Sequence, residues 1–176
     1  MNIAQAGIEF NTQKAQEAGD DALADEYKGK AKALNYNLAS YTWPGWDEPG
    51  FTDIPADILA LGLQAAQENL RLAIELKKEE VRVSRAHWAI GAQQIAVKKS
   101  DAARKSFQLA VNFAQKAGEA GDETLSLGFI EITTLLANPE DKAAAERLAE
   151  VKANLGKLEY ADFYIKQLDD SLRIFG

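Results

Sequence analysis

The sequence predicts an all-α protein in which antiparallel helical hairpins are stacked on one another. Ala, Leu, Glu, Lys and Gln, which favour helix, dominate its composition. The twelve Gly and four Pro residues fall at a few places and leave long stretches for continuous helix. No alternating β-branched run indicates a strand. With 176 residues, of which 47% are apolar, the chain is long enough for a single domain with a buried core.

Four helices are predicted in the first part of the chain, over about 3–18, 21–41, 53–77 and 80–98. Gly19 ends the first helix, and Asp20 caps the second. The Pro- and Gly-rich segment Trp43–Phe51 then breaks the pattern. Either Thr52 or Asp53 caps the third helix, whose first turn tolerates Pro55.

Four more helices are predicted in the rest of the chain, over about 100–120, 122–137, 138–156 and 158–175. Ser100 caps the fifth helix, and Asp122 caps the sixth. Asn138 caps the seventh and places Pro139 at its first helical position, where the missing N–H has no intrahelical partner to lose. Gly156 ends this helix.

The chain also repeats itself. Residues 13–23 and 115–125 share eight of eleven positions, in the pattern Gln-Lys-Ala-x-Glu-Ala-Gly-Asp-x-x-Leu. Self-similarity of this kind is typical of repeat architectures. A repeat architecture requires a common pattern of small and large residues in successive helix pairs.

The central helix pair resembles the tetratricopeptide repeat. That family's unit carries Trp-x-x-Leu-Gly-x-x-Tyr on its first helix and Ala-x-x-x-Phe-x-x-Ala on its second. The matching positions are Ile90, Gly91, Ala103, Phe107 and Ala110. Gln94 stands where the family has Tyr, and His87 stands where it has Trp.

Less regular copies flank the central pair. The first has Ala39 and then Ala66, separated by 27 residues, against 12 between Gly91 and Ala103, which indicates an insertion. The third has Gly128 on one helix and the series Ala144, Leu148 and Val151 on the next. The resemblance thus implies one domain over 1–176, with hairpins at about 21–77 (insertion 43–55), 80–120 and 122–155 and capping helices at 3–18 and 158–175. The alternative fold is a compact all-α bundle without superhelical curvature.

For function, the resemblance implies a protein–protein interaction module that binds a peptide or protein segment in a concave, aromatic-lined groove. The candidate binding residues are Tyr36, Ser40, Trp43, Trp46, Arg85, Trp88, Leu125 and Phe129. Apart from Arg85, the groove positions lack basic residues, so a clamp for a partner's terminal carboxylate is not expected.

Two other functions stay open at this point. The insertion could form a pocket against the groove, as in a small-molecule-binding protein or an enzyme, with Arg85, His87, Asp47 and Glu48 as polar groups. The last helix or an end face could instead pair two chains, which gives a structural role as a homo-oligomer. The observation that would help most to choose between these functions is whether Trp43, Trp46 and Trp88 are buried or line an open groove.

Composition and motifs argue against several classes of chemistry. One His and no Cys leave no zinc site, and we expect no metal, no cofactor and no catalytic residues. The net charge of −7 argues against nucleic acid as a partner. No apolar run has the length of a membrane span, and the first residues lack the basic start and apolar run of a signal peptide, so we expect a cytoplasmic protein.

Overall fold

The computed structural model describes residues 2–48 and 53–176. These residues form eight α-helices and one 3-10 turn, and they contain no β-strand. The elements are α1 (Asn2–Glu17), α2 (Asp21–Tyr41), the 3-10 turn (Pro44–Trp46), α3 (Ala56–Glu75), α4 (Glu80–Ala96), α5 (Ser100–Ala117), α6 (Ala120–Ala137), α7 (Lys142–Leu155) and α8 (Ala161–Phe175). The predicted all-α fold is confirmed. Thr52, one of the two predicted caps of α3, lies outside the described residues, as do residues 49–51.

Successive helices pack against one another along the whole chain. In addition, α2 contacts α4, α4 contacts α6, and α6 contacts α8, so these four helices form one row. The arrangement corresponds to three stacked hairpins, α2/α3, α4/α5 and α6/α7, with α1 beside the first and α8 beside the last. None of the helices in 2–48 and 53–176 combines the length and apolarity needed to cross a bilayer.

Small residues lie where the helices approach most closely, as the sequence pattern predicts. Six alanines of the second helices have no exposed surface; they are Ala66, Ala73, Ala103, Ala110, Ala114 and Ala144. On the first helix of the central hairpin, the backbone of Gly91 lies directly against the ring of Phe107. A larger side chain at these positions would separate the helices, because cores are packed to crystal density.

The starts of α3, α5, α6, α7 and α8 differ from prediction. The cap of α3 is Pro55 and not Asp53, and the cap of α5 is Lys99, so Ser100 is already a helical residue. The cap of α7 is Asp141, whose carboxylate accepts a hydrogen bond from the Ala144 backbone N–H at 2.9 Å, while Asn138 and Pro139 lie in the turn before it. The helix α6 already begins at Ala120, which places Asp122 in the first turn instead of at the cap. The helix α8 begins at Ala161, after Tyr160, whose positive φ of 61° interrupts the helical path.

Candidate functional site

The segment after α2 folds inward and is anchored by Trp43. Its side chain is only 2% exposed, and its indole N–H donates a hydrogen bond to the Ala92 carbonyl of α4 at 3.0 Å. Pro44 and Gly45 are buried as well. The prediction that Trp43 faces a groove is therefore wrong, and the alternative that it belongs to the core is confirmed.

Trp43 is the centre of an aromatic cluster. Its ring centroid lies 4.9 Å from that of Trp46, 5.4 Å from Trp88, 6.1 Å from Phe129 and 6.3 Å from Phe175. The first two pairs are edge-to-face, which aligns the positive edge of one ring with the negative face of the other. Phe129 is fully buried in this cluster, so its predicted place on the groove surface is also wrong.

The helix α8 does more than cap the last hairpin. It packs on α6 and α7, as expected of a cap, and it also contacts the 3-10 turn. Arg173 forms an ion pair with Asp47 just beyond that turn, and Phe175 lies near the Trp43 ring. The helix thus covers part of the face that α2, α4 and α6 form, and what remains is a short cleft instead of an open groove.

This cleft, which we call the aromatic cleft, has a volume of about 220 Å³. Residues from α2, the 3-10 turn, α4, α6 and α8 line it: Tyr36, Trp46, Ser84, Arg85, Trp88, Asp122, Leu125, Ser126, Phe163, Tyr164 and Gln167. Five of these side chains are aromatic, and they come from four different elements. The cleft therefore depends on the tertiary fold and not on any single helix.

Five of the eight predicted binding residues line the aromatic cleft, namely Tyr36, Trp46, Arg85, Trp88 and Leu125. Ser40 lies beside it, and its carbonyl accepts a hydrogen bond from the Trp46 indole at 2.9 Å. Asp122 was predicted only as a helix cap, yet its side chain lines the cleft. Phe163, Tyr164 and Gln167 of α8 were not among the predicted binding residues, because the apolar residues of a terminal helix do not indicate which surface that helix covers.

The other polar groups predicted for a pocket lie elsewhere. Asp47 pairs with Arg173, and neither it nor Glu48 lines the cleft. The His87 ring stacks on Phe113 of α5, with centroids 5.4 Å apart and planes 14° apart. Only Arg85 of that group of four reaches the cleft.

An ion pair crosses the aromatic cleft from α4 to α6. The Arg85 Nε donates a hydrogen bond to the Asp122 carboxylate at 2.9 Å, and the carboxylate is mostly buried. Burial raises the pKa of Asp122, and the guanidinium opposes this shift without cancelling it. Among the described residues, the terminal Nη groups of Arg85 have no hydrogen-bond partner, so they remain able to bind an acceptor.

Two further polar atoms of the lining side chains lack partners among the described residues: the indole N–H of Trp88 and the amide oxygen of Gln167. Both are shielded from solvent. A buried polar atom without a partner costs roughly 1–3 kcal/mol. After a small side-chain adjustment, a ligand could accept a hydrogen bond from the Trp88 indole and donate one to the Gln167 amide oxygen. Such a ligand would recover part of that free energy.

The fold and the cleft define the class of protein: an all-α chain of stacked helical hairpins with an aromatic cleft between the face of the stack and its last helix. No protein-family model, no curated protein and no solved structure matches the chain. The resemblance of its central hairpin to the tetratricopeptide repeat therefore stays a prediction, and the geometry of the cleft is the basis for inferring a function.

His87 allows a prediction on stability at mildly acidic pH. Burial lowers its pKa below the ordinary 6.5, so the unfolded chain binds a proton at a higher pH than the folded chain does. The neutral imidazole therefore makes its full contribution to stability above pH 6.5, and this contribution decreases as the pH falls below that value. We expect His87→Gln to reduce the loss of unfolding free energy between pH 7.5 and about 5.5. Urea denaturation at both pH values measures this, and an equal loss in the two proteins would contradict it.

Proposed function

We propose that this chain is a binding protein whose aromatic cleft takes up a small organic molecule with a flat ring system. The observation that supports this most directly is the difference between two sets of aromatic side chains. Trp43, Phe107 and Phe129 are buried in the core, whereas the five around the cleft are half-buried or exposed. Rings that only filled space would be covered by their neighbours, but these share one concave surface.

The size of the cleft limits the ligand. A cavity of about 150 Å³ accepts benzene, and pockets for drug-sized molecules have roughly 300–1,000 Å³. A volume of about 220 Å³ therefore favours one larger ring or two fused rings. Each aromatic contact would contribute about 0.5–1.5 kcal/mol beyond the burial of apolar surface. Arg85 and Asp122 would orient the polar substituents of such a ligand.

A second candidate is the interaction module that the repeat resemblance implies, now restricted by α8. In this case a partner segment inserts one aromatic side chain into the cleft. Phe163, which is 55% exposed at the cleft, favours this candidate, because exposed aromatic residues are frequent anchors of protein interfaces. Homo-oligomerisation stays a prediction without a supporting contact in the described residues.

We expect 1-naphthol to bind in the aromatic cleft, and we expect Tyr36→Ala to lower its affinity. Two-dimensional ¹H–¹⁵N NMR spectra report directly on the site, since the three indole N–H signals belong to two cleft residues and to the buried Trp43. Signals of Trp46 and Trp88, assigned by Trp→Phe variants, should shift on titration. Loss of one ring contact should weaken binding roughly 3- to 10-fold.

The control is Tyr41→Ala on the same helix. Tyr41 is exposed and lies on a separate apolar groove near α1, so its loss should leave naphthol binding unchanged. If Tyr41→Ala weakens binding and Tyr36→Ala does not, the ligand binds that groove and the proposal fails. A capped Gly-Gly-Trp-Gly-Gly peptide that shifts the same signals more strongly than naphthol would favour the second candidate.

A further inference from the structure

A second pocket adjoins the aromatic cleft. It lies between α2, α3 and α4, has a volume of about 370 Å³, and is lined by Lys32, Asn69 and Arg82 among others. Tyr36 and Arg85 belong to the walls of both compartments. We call this second compartment the basic pocket. Because the two share a wall, one ligand can occupy both.

Two of the three cations that line the basic pocket, Lys32 and Arg82, have no carboxylate partner among the described residues, whereas the third, Arg85, is paired with Asp122 through its Nε. No carboxylate of the described residues lies within ion-pair distance of Lys32 or Arg82, or of Lys78, which lies near Lys32 but does not line the pocket. Lys32 is half-buried, and burial, with the nearby charges of Arg82 and Lys78, lowers its pKa. Arg82 and Lys78 are exposed to solvent, so Lys32 is the cation of this cluster that is half-buried without a partner, and an anion in the pocket would offset both its burial and its repulsion from the neighbouring cations.

Asn69 provides an independent sign that polar groups meet in this pocket. The residue is 1% exposed, and its Nδ2 donates a hydrogen bond to the Lys32 carbonyl at 2.9 Å, which fixes α3 against α2. Its Oδ1 has no partner among the described residues. This oxygen can accept a hydrogen bond from a hydroxyl of a ligand, whereas the cations supply donors to an oxyanion.

We infer that the basic pocket binds an oxyanion and that the two compartments together select an aromatic ligand carrying a phosphate or carboxylate group. The inference rests on the proposed function, since the ring of the ligand occupies the aromatic cleft. The anionic group then lies between Lys32, Arg82 and the unpaired Nη groups of Arg85. A neutral ring fills only the cleft and leaves Lys32 and Arg82 without an anionic partner.

Calorimetric titration of the full chain with matched probes tests this inference. The probes are 1-naphthyl phosphate, 1-naphthoate, 1-naphthol and inorganic phosphate. We expect at least one of the two naphthyl anions to bind about tenfold more tightly than 1-naphthol, because hydrogen bonds between charged groups are about twice as strong as neutral ones. Whichever anion binds more tightly identifies the preferred group.

Variants locate the anion. Lys32→Gln and Arg82→Gln should each remove most of the preference for the anionic probe and leave the affinity for 1-naphthol unchanged. Both substitutions relieve repulsion between cations, so we expect the variants to fold. The matched control is Lys105→Gln, an exposed position on α5 outside both compartments, which should alter neither affinity.

The outcomes separate this inference from the proposed function. If 1-naphthol shifts the Trp46 and Trp88 signals but binds as tightly as both anions, the inference fails and the proposed function stands. An anion preference that survives in both Gln variants also overturns the inference. If inorganic phosphate binds as tightly as 1-naphthyl phosphate, the basic pocket acts without the cleft and the two-compartment ligand is wrong. If none of the naphthyl probes binds, the proposed function itself fails.

Discussion

Trp43→Ala is expected to lower the free energy of unfolding by about 3–5 kcal/mol, which is typical of the loss of a fully buried large aromatic residue. The substitution removes a ring that contacts four other aromatic rings from the turn, α4, α6 and α8. It also removes the hydrogen bond to the Ala92 carbonyl. The cavity would lie where the insertion, the central hairpin and the last helix meet, so no single element could move to fill it.

Trp46→Ala is the matched control for Trp43→Ala. Trp46 lies three residues further on, is half-buried, and keeps part of its ring on the wall of the aromatic cleft. Its removal should cost roughly half as much, in proportion to the smaller apolar area that it buries. Urea denaturation followed by circular dichroism measures both values. Equal losses, or a larger loss for Trp46→Ala, would contradict the anchoring role of Trp43.

The cost of Trp43→Ala should also depend on α8. A double-mutant cycle with Phe175→Ala tests this, because the two rings lie 6.3 Å apart and neighbouring residues rarely act independently. A coupling of about 0.5 kcal/mol or more is expected for side chains in one cluster. Additive effects would mean that α8 docks on the turn without support from the aromatic cluster.

The helices and their contact positions were predictable because they depend on local pattern. Each second helix carries a small residue four positions before a large one, and these small residues, Ala66, Ala103 and Ala144, are all buried where the hairpins close. Glycine at the end of a helix and aspartate at its start are equally local signals. They gave the number of helices correctly within the described residues, and most boundaries within a few positions.

The position of α8 was not predictable, because it depends on contacts between distant residues. Arg173 and Asp47 are 126 positions apart, and neither has a sequence neighbourhood that indicates the other. The apolar stripe of α8 is as consistent with a terminal cap as with a wall of the cleft. The fold of the insertion depends on the same long-range contacts, and for that reason Trp43 could be assigned either to a binding surface or to the core.

The charges of the basic pocket were missed for a related reason. In the sequence, Lys77 and Lys78 are followed by Glu79 and Glu80, which predicts a solvated surface of mixed charge, and all four residues are exposed. In the fold, Lys78 and Arg82 of the α3–α4 region lie near Lys32 of α2, while no carboxylate of the described residues pairs with Lys32. Charge pairing across helices depends on which faces meet, and the sequence alone does not provide that information.

The partial covering of the α2, α4 and α6 face by α8 helps to choose between the two candidate functions. An open groove along α2, α4 and α6 could hold an extended segment, but α8 and Trp46 leave about 220 Å³ beside that face. A partner segment would therefore contribute one side chain, or it would have to displace α8 from the aromatic cluster. Displacement would expose Trp43 and Phe129, whose burial stabilises the fold by roughly 2–3 kcal/mol for each side chain. The short cleft thus favours a small ligand.

Gly91→Ala is expected to destabilise the protein by about 1–3 kcal/mol, the usual cost of overpacking a core. A Cβ atom at this position would lie 2.7 Å from Cε1 of Phe107, well inside van der Waals contact. The ring cannot move aside, because Phe107 is fully buried and stacks on Phe129 at a centroid distance of 4.9 Å. The helices α4 and α5 must therefore separate, although the methyl group by itself favours helix.

Gly29→Ala is the control, because it makes the same substitution inside a helix without the contact. Apart from the backbone and chain neighbours of its own helical turn, no heavy atom lies within 4 Å of a Cβ built at Gly29, so only the gain in helix propensity remains, and stability should rise by about 0.5–1 kcal/mol. Opposite signs for the two variants in urea denaturation would establish that Gly91 is required by the approach of Phe107 and not by backbone flexibility. If Gly91→Ala is neutral or stabilising, the central hairpin is packed in a different register. Because Arg85 and Trp88 lie on the same helix as Gly91, their positions in the aromatic cleft would then be wrong as well.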